Sequence, residues 1–120
     1  MSDLRQIVEE YISVWNETDG GARLAAIDAL WAEDGSYTDP LVDVVGRDGL
    51  DATVAAVQAQ FPGFVFTLGP VDAHHRVARF TWGLGPAGAE PLVEGFDVLA
   101  VDGEGRVASV AGFLDKVPGA

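Results

Sequence analysis

The spacing of apolar residues changes once along the chain, and this change most constrains the fold. Up to Pro62 and Gly63 the apolar residues mostly recur every three or four positions, as on the buried stripe of an amphipathic helix. Beyond them, short runs rich in valine, phenylalanine, leucine and tryptophan alternate with glycine- and proline-containing turns, which is typical of β-strands. Helices followed by an antiparallel meander predict an α+β domain whose helices cover one face of the sheet.

Three helices and five strands are predicted from this pattern. Asp3 and Gln6 are placed as a capping box for the first helix, and Asp48 is the expected N-cap of the third. Segment 102–105, with the sequence DGEG, is a tight hairpin signal that joins the last two strands. The predicted helices span residues 4–15, 24–32 and 49–61, and the predicted strands span residues 35–39, 64–71, 75–84, 92–101 and 106–114.

Glycines interrupt the long strands, and this favours strong curvature of the sheet. A strongly curved, mostly antiparallel sheet closed by helices leaves a cavity at its wide end, so we expect a conical barrel that encloses an apolar pocket. The 120 residues contain no linker or repeat, and they are predicted to form a single domain over residues 1–120. The functional site is expected in the pocket.

The composition excludes several classes of function. The chain has no cysteine, which excludes disulfides, thiolate metal ligands and a cysteine nucleophile. Its net charge of −12 repels phosphate backbones and anionic lipids, so neither nucleic acid nor membrane is an expected partner. No secretory signal or long apolar run is found, and a cytoplasmic location is predicted. Phosphate-binding loops, dinucleotide fingerprints and a Ser-His-Asp arrangement are also missing, so no cofactor is expected.

Asp97 is the most informative polar residue, because the run FDVLAV at 96–101 is otherwise apolar on both faces of the strand. Whichever face Asp97 takes, it is predicted to be buried. A buried carboxyl group needs a partner or keeps its proton, with a raised pKa. The alternative is an aspartate that binds backbone near the start of a strand or a turn.

Asp39 and Tyr11 are two further candidates. Asp39 ends the first predicted strand beside Pro40, where it can project into the mouth of the cavity. On the Asp-Pro dipeptide alone, an ordinary turn in which the carboxylate binds nearby N–H groups is favoured. Tyr11 lies on the inward stripe of the first helix, and its hydroxyl needs a partner there: Asp97, a ligand, a backbone carbonyl or a water.

The predicted pocket wall is apolar. Residues at even positions from 80 to 84 share one face of their strand, provided that Gly83 is not a bulge. His74 and His75 are expected side by side on a strand with opposite orientations, so they cannot chelate one metal ion, and no metal site is predicted. Phe113 is expected in the core. The predicted substrate-binding residues are Trp15, Trp31, Phe80, Trp82, Leu84, Leu99 and Leu114, of which Trp15, Trp31 and Leu114 are most simply explained as core residues.

Several of these segments resemble a known superfamily. The runs YISVWNETD at 11–19 and LWAEDGSYTDP at 30–40 resemble the opening of the nuclear transport factor two-like superfamily. The motif EGFD at 94–97, the turn at 102–105 and the closing strand at 106–113 look like its SnoaL-like branch. The resemblance covers nearly the whole chain and implies the fold, together with a homodimer formed through the exposed face of the sheet. It implies the activity less narrowly, because this scaffold hosts isomerases, cyclases, dehydratases, epoxide hydrolases and binding proteins.

The chain is also similar to the bacterial ketosteroid isomerases at three positions: Tyr11, Asp39 and Asp97. That resemblance implies that Asp39 is the general base, while Tyr11 and a protonated Asp97 donate hydrogen bonds to the developing enolate. In SnoaL-like polyketide cyclases the base lies on a later strand, so the resemblance equally allows the two aspartates to exchange roles.

The predicted function is cofactor-independent proton transfer next to the carbonyl group of a small apolar compound. An ionised base and donors directed at the oxyanion are both strengthened in a dry pocket. The bulk of Trp15 and Trp82 indicates a ligand smaller or flatter than a steroid. One alternative is a noncatalytic ligand-binding or dimerisation module, in which Asp97 is structurally paired and the pocket is filled by Trp82 and neighbouring side chains. Another is an epoxide hydrolase or dehydratase, in which an acid and an Asn or Tyr hold a water molecule.

Overall fold

A helical hairpin begins the structure, which is a computed structural model that describes residues 3–118. Helix α1 (Leu4–Asn16) starts where the Asp3 side chain accepts a 2.8 Å hydrogen bond from the Gln6 N–H. Helix α2 (Gly20–Leu30) starts in the same way, with the Asp19 side chain accepting a 2.8 Å bond from the Ala22 N–H. Each aspartate satisfies a backbone donor that has no partner within its helix.

A six-stranded sheet and one further helix complete the fold. They are β1 (Trp31–Thr38), β2 (Asp43–Val45), α3 (Arg47–Gln60), β3 (Phe64–His74), β4 (Val77–Pro86), β5 (Val93–Val101) and β6 (Val107–Lys116). The strand order is β2-β1-β6-β5-β4-β3. Within residues 3–118, only β1 and β6 pair in parallel; the other neighbouring strands are antiparallel. The predicted α+β cone is confirmed, although the sheet is open between its edge strands β2 and β3 and does not close into a barrel.

The helices cover one face of the sheet. Helix α1 packs across β3 and β4, and helices α2 and α3 pack against β1. Between them lies an apolar core whose largest fully buried side chains include Tyr11, Trp31, Phe80 and Leu99. Within residues 3–118, no helix is both long enough and apolar enough to cross a membrane.

A buried cluster of polar side chains joins the three helices. Arg23 on α2 donates a 2.7 Å hydrogen bond to the Asp51 carboxylate and others to the Gln58 side chain and the Glu17 carbonyl oxygen, both at 3.0 Å. The Gln58 amide in turn donates to the carbonyl oxygens of Trp15 and Glu17. The end of α1, which carries residues of the cavity described below, is therefore held by both other helices.

The boundary between α2 and β1 differs from the sequence prediction. Trp31 and Ala32 were predicted as the end of the helix, but they begin strand β1. Both residues are buried in the strand, so the apolar pattern of α2 continues into β1 without a break in the sequence. Strand β2 was not predicted, since three residues are too short to show a pattern.

Two loop predictions also need correction. Helix α3 is capped by Gly46, whose φ of 95° suits glycine, while Asp48 lies in the first turn and is not the cap. His75 has a φ of 51° and lies in the turn between β3 and β4, whereas His74 ends β3. The two histidines are therefore not neighbours on one strand.

Gly83 is paired in regular register with Glu94, so β4 has no bulge there.

Candidate active site

A cavity of about 230 Å³ lies between the helices and the inner face of the sheet. Its wall is mostly apolar, and its ionisable side chains are Tyr11, Tyr37, Asp39 and Asp97. The volume is somewhat below the roughly 300–1,000 Å³ that is usual for sites of drug-sized ligands. A compound of one or two rings therefore suits the cavity better than a steroid does.

Asp97 lies in the middle of β5 and is 3% exposed. The indole Nε1 of Trp82 on β4 donates a 2.9 Å hydrogen bond to its Oδ1. Gly95 makes this contact possible, because a Cβ atom at that position would overlap the Trp82 ring. Burial raises the pKa of Asp97 to about 7; the Trp82 hydrogen bond lowers it in part, and the Asp39 charge adds to the rise. Protonated and ionised forms of Asp97 therefore coexist at neutral pH.

Asp39 is half-buried at the end of β1 and lines the same cavity. Its Oδ1 accepts hydrogen bonds from the N–H groups of Leu41 at 2.8 Å and Val42 at 3.0 Å. Its Oδ2 accepts a 2.7 Å hydrogen bond from the Tyr37 hydroxyl. The turn that the Asp-Pro dipeptide favours is thus formed, and the same carboxylate also faces the cavity.

Tyr37 is a site residue that the sequence prediction missed. It was used only as a strand-favouring residue, yet its ring is 4% exposed and lines the cavity. Burial, the hydrogen bond to Asp39 and the charge of Asp97 raise the pKa of Tyr37 far above its usual range, so its hydroxyl stays a donor. The two-residue spacing between Tyr37 and Asp39 was the available signal, because alternate residues of a strand share a face.

Tyr11 lies on α1 with its ring 1% exposed and stacked at 5.9 Å on Trp31. Its hydroxyl has no hydrogen-bond partner among residues 3–118, so the bond to Asp97 considered from the sequence is not formed. Burial, followed by the charge of Asp97, raises the pKa of Tyr11 well above its usual value. A neutral hydroxyl without a partner in the wall of a cavity is a donor that a ligand oxygen can satisfy.

Gly112 on β6 marks where the polar groups converge. A Cβ atom at this position would lie 2.8 Å from Asp97 Oδ1, 3.5 Å from Asp39 Cβ and 3.6 Å from the Tyr37 hydroxyl. Because glycine has no side chain, the space between the two aspartates stays open to the cavity. Within residues 3–118, no three His, Cys, Asp or Glu side chains are grouped as metal ligands would be.

Some of the predicted wall residues line the cavity and others do not. Trp31, Phe80 and Leu99 were predicted to bind substrate, but they are fully buried in the core and are not among the residues that line this cavity. Phe113 was predicted in the core but is 55% exposed on the outer face of β6. Phe66, which was not predicted, lines the cavity. The predicted residues that do line it are Trp15, Trp82, Leu84 and Leu114.

The family of the chain follows from comparison with known proteins. The family model of the SnoaL-like domain matches residues 8–110. The chain belongs to the SnoaL-like family. A SnoaL-like protein from Agrobacterium tumefaciens C58, named as a candidate isomerase, is 37% identical, with 92% of this chain and 95% of that chain covered and a TM-score of 0.87. A search among curated proteins finds no match.

More distant structures share the SnoaL-like fold. A candidate ketosteroid isomerase from Kribbella flavida is 21% identical, covers 97% of this chain and 80% of its own, and has a TM-score of 0.71. A protein from Catenulispora acidiphila with a ketosteroid isomerase-like fold, solved in complex with trimethylamine, is 22% identical over 88% of this chain and 82% of its own, with a TM-score of 0.70. At these identities the likeness shows the fold alone.

Proposed function

We propose that the cavity binds a small, mostly apolar carbonyl compound and that Asp97 transfers a proton at the carbon next to the carbonyl group. The observation that carries this proposal is the burial of Asp97 in the cavity wall, which raises its pKa to about 7. A general base is most effective when its pKa lies near the working pH, because it is then both ionised and basic enough to accept a proton.

Tyr11 supplies the hydrogen bond to the developing enolate oxygen in this proposal. Its hydroxyl is buried and has no partner among the described residues, so it is free to donate to a substrate oxygen. Such a donor stabilises charge most effectively where water is excluded.

Asp39 serves as a fixed negative charge in this proposal. Its carboxylate already accepts three hydrogen bonds from the protein, so both of its oxygens are engaged. Its charge raises the pKa of Asp97. Of the two assignments that the family resemblance allows, these contacts support the one with Asp97 as the base.

Hydrogen–deuterium exchange next to a carbonyl tests the proposal without knowledge of the natural substrate. One- and two-ring ketones are incubated with the protein in D₂O, and loss of the α-proton signal is followed by NMR. The wild-type rate should rise with pH through about 7 as Asp97 ionises. Asp97→Asn should lower the rate by about 100-fold or more. Glu94→Gln, the same change on the exposed side of β5, should leave it unchanged.

Asp39→Asn distinguishes the two possible bases. If Asp97 is the base, this variant stays active and its pH profile moves to lower pH, because a charge that raises the Asp97 pKa is gone. Loss of exchange in Asp39→Asn, with activity kept in Asp97→Asn, would assign the base to Asp39. Ketones that bind folded wild-type protein without exchange would favour the noncatalytic module, and turnover of an epoxide would favour the hydrolase.

A further inference from the structure

The cavity wall carries negative charge without a positive side chain beside it. Asp39 and Asp97 both face the cavity, and among residues 3–118 no lysine, arginine or histidine lines it. The cations of the neighbouring strands lie outside. Arg79, for example, pairs with the exposed Asp72 at 3.2 Å. A buried carboxylate is costly when it lacks an opposite charge, so a cationic ligand would supply the positive charge that the cavity wall lacks.

Aromatic rings form much of the remaining wall. Trp15 lies 5.5 Å from Tyr37 and 5.3 Å from Phe66, and Phe66 lies 5.4 Å from Trp82, measured between ring centroids. Each of these four residues lines the cavity. The face of an aromatic ring is electron-rich and attracts organic cations, most strongly in the case of tryptophan. The wall therefore suits both the charge and the apolar surface of such a ligand.

The Tyr11 hydroxyl is an independent sign that a ligand completes the site. It is fully buried and has no hydrogen-bond partner within the described part of the chain. Its oxygen offers lone pairs to an N–H group or to the polarised C–H groups of an ammonium ion. Gly112 lines the cavity beside both aspartates and places no side chain there, so such a group can approach their carboxylates.

We propose that this cavity binds small organic cations, with the ammonium group between Asp39 and Asp97 beside Gly112 and the apolar part against the rings of Trp15 and Phe66. The proposal goes beyond the proposed function, because binding of a cation requires no proton transfer. It also predicts an affinity that rises with pH, which a neutral ligand would not show.

This pH dependence follows from the groups that face Asp97. These are Tyr11 from α1, Tyr37 and Asp39 from β1 and the uncharged Trp82 from β4, while β6 presents only a glycine. Both tyrosines stay neutral because burial raises their pKa values. Ionisation of Asp97 therefore adds a second negative charge to the site as pH rises. A cation gains affinity from this charge, whereas a neutral ligand does not.

Phenyltrimethylammonium is a suitable probe because its charge does not change with pH. Its neutral isostere, tert-butylbenzene, has carbon in place of the charged nitrogen. Both are titrated into wild-type protein at about pH 5.5 and pH 8.5, with calorimetry and the fluorescence of the cavity tryptophans as readouts. We expect the cation to bind about tenfold more tightly than the isostere at the higher pH. We also expect its affinity to be about fivefold lower at the lower pH.

Two variants connect the binding to the cavity. Asp97→Asn keeps the shape of the side chain and should lower cation affinity about tenfold and remove its pH dependence, whereas Glu94→Gln should change neither. Gly112→Ala places a methyl group between the aspartates and should weaken binding of the cation. Gly21→Ala, in the first turn of α2, should leave this binding unchanged. Circular dichroism and urea unfolding establish that each variant is folded.

Equal or tighter binding of tert-butylbenzene would overturn the proposal. So would unchanged cation affinity in Asp97→Asn, or an affinity that falls as pH rises. The exchange assay on the same protein keeps the two proposals apart. Ketone exchange without cation binding overturns only the cation site, and cation binding without ketone exchange overturns only the proton transfer.

Discussion

Asp97 is buried on an inward strand position, yet it keeps one hydrogen bond and one charged neighbour. The Trp82 N–H stabilises its ionised form, while burial and the Asp39 charge stabilise its protonated form. The balance between them leaves its pKa at about 7, and a balance of this kind is sensitive to single substitutions. Gly95 also contributes to this balance. Because it has no side chain, it leaves space for the Trp82 ring, whose N–H group bonds the Asp97 carboxyl group.

Because folding raises the pKa of Asp97, the free energy of unfolding should fall as pH rises. The folded protein holds this proton up to about pH 7, whereas the unfolded chain releases it near the usual value of 3.8. The stabilising contribution of this proton is therefore complete below the pKa of Asp97 in the unfolded chain. It is lost as pH rises through the pKa of Asp97 in the folded protein. Between pH 5 and pH 8 we expect this loss to lower the free energy of unfolding by roughly 2–3 kcal/mol. Urea unfolding of wild type and Asp97→Asn at both pH values should show this loss in wild type alone, and parallel pH profiles would contradict it.

Replacement of Trp82 by phenylalanine should move the titration of Asp97 upward. The variant keeps an aromatic ring but loses the N–H group that stabilises the ionised carboxylate. Carboxyl ¹³C NMR of the folded protein measures the midpoint directly. Trp15→Phe, which changes another tryptophan of the cavity, is the matched control. A midpoint that stays the same or falls in Trp82→Phe would show that the hydrogen bond does not set the pKa.

Among the elements, the three helices depend on the buried Arg23 contact. Arg23→Met keeps the length of the side chain but removes the donor to Asp51 and to the Gln58 side-chain oxygen, and it leaves the Glu17 carbonyl with the Gln58 amide as its side-chain donor. Because Arg23 is 7% exposed, we expect a loss of about 3 kcal/mol in the free energy of unfolding. Arg5→Met, at an exposed position on α1, should cost less than about 1 kcal/mol. Equal losses in the two variants by urea unfolding would show that the cluster adds nothing.

Sequence periodicity predicted the long elements well, because three or more turns of a helix or several alternations of a strand make a clear pattern. The start of β1 at Trp31 was missed because no turn residue separates it from α2, and β2 was too short to detect. Of the candidate site, burial of Asp97 was predicted from its apolar neighbours, and that prediction is confirmed. Its bond to Trp82 was not foreseen, because it depends on the register of β4 against β5, which one sequence does not specify.

The whole molecule presents an apolar outer sheet face, to which the family resemblance assigns dimer formation. Val65, Val98 and Phe113 are 37%, 36% and 55% exposed on this face. We expect a homodimer that buries them. Val98→Asp should convert it to a monomer in size-exclusion chromatography with light scattering, because removing a carboxylate from water in an interface is costly even with Arg79 opposite it on β4. Val45→Asp, the same change at a 68% exposed position on β2, is the control. A wild-type monomer, or a dimer that persists in Val98→Asp, would contradict this interface.

Strand β6 comes last in sequence among the six described strands, yet it lies between β1 and β5 in the sheet. As the ribosome adds residues, the helical half with β1 and the meander that ends in β5 each keep an unpaired strand edge until residues 107–116 emerge. Assembly of the sheet is therefore expected as a late, cooperative event governed by contacts far apart in sequence. Chains interrupted before that point would expose two edges to pairing with other chains, so their fate in the cell would depend on chaperones and proteases.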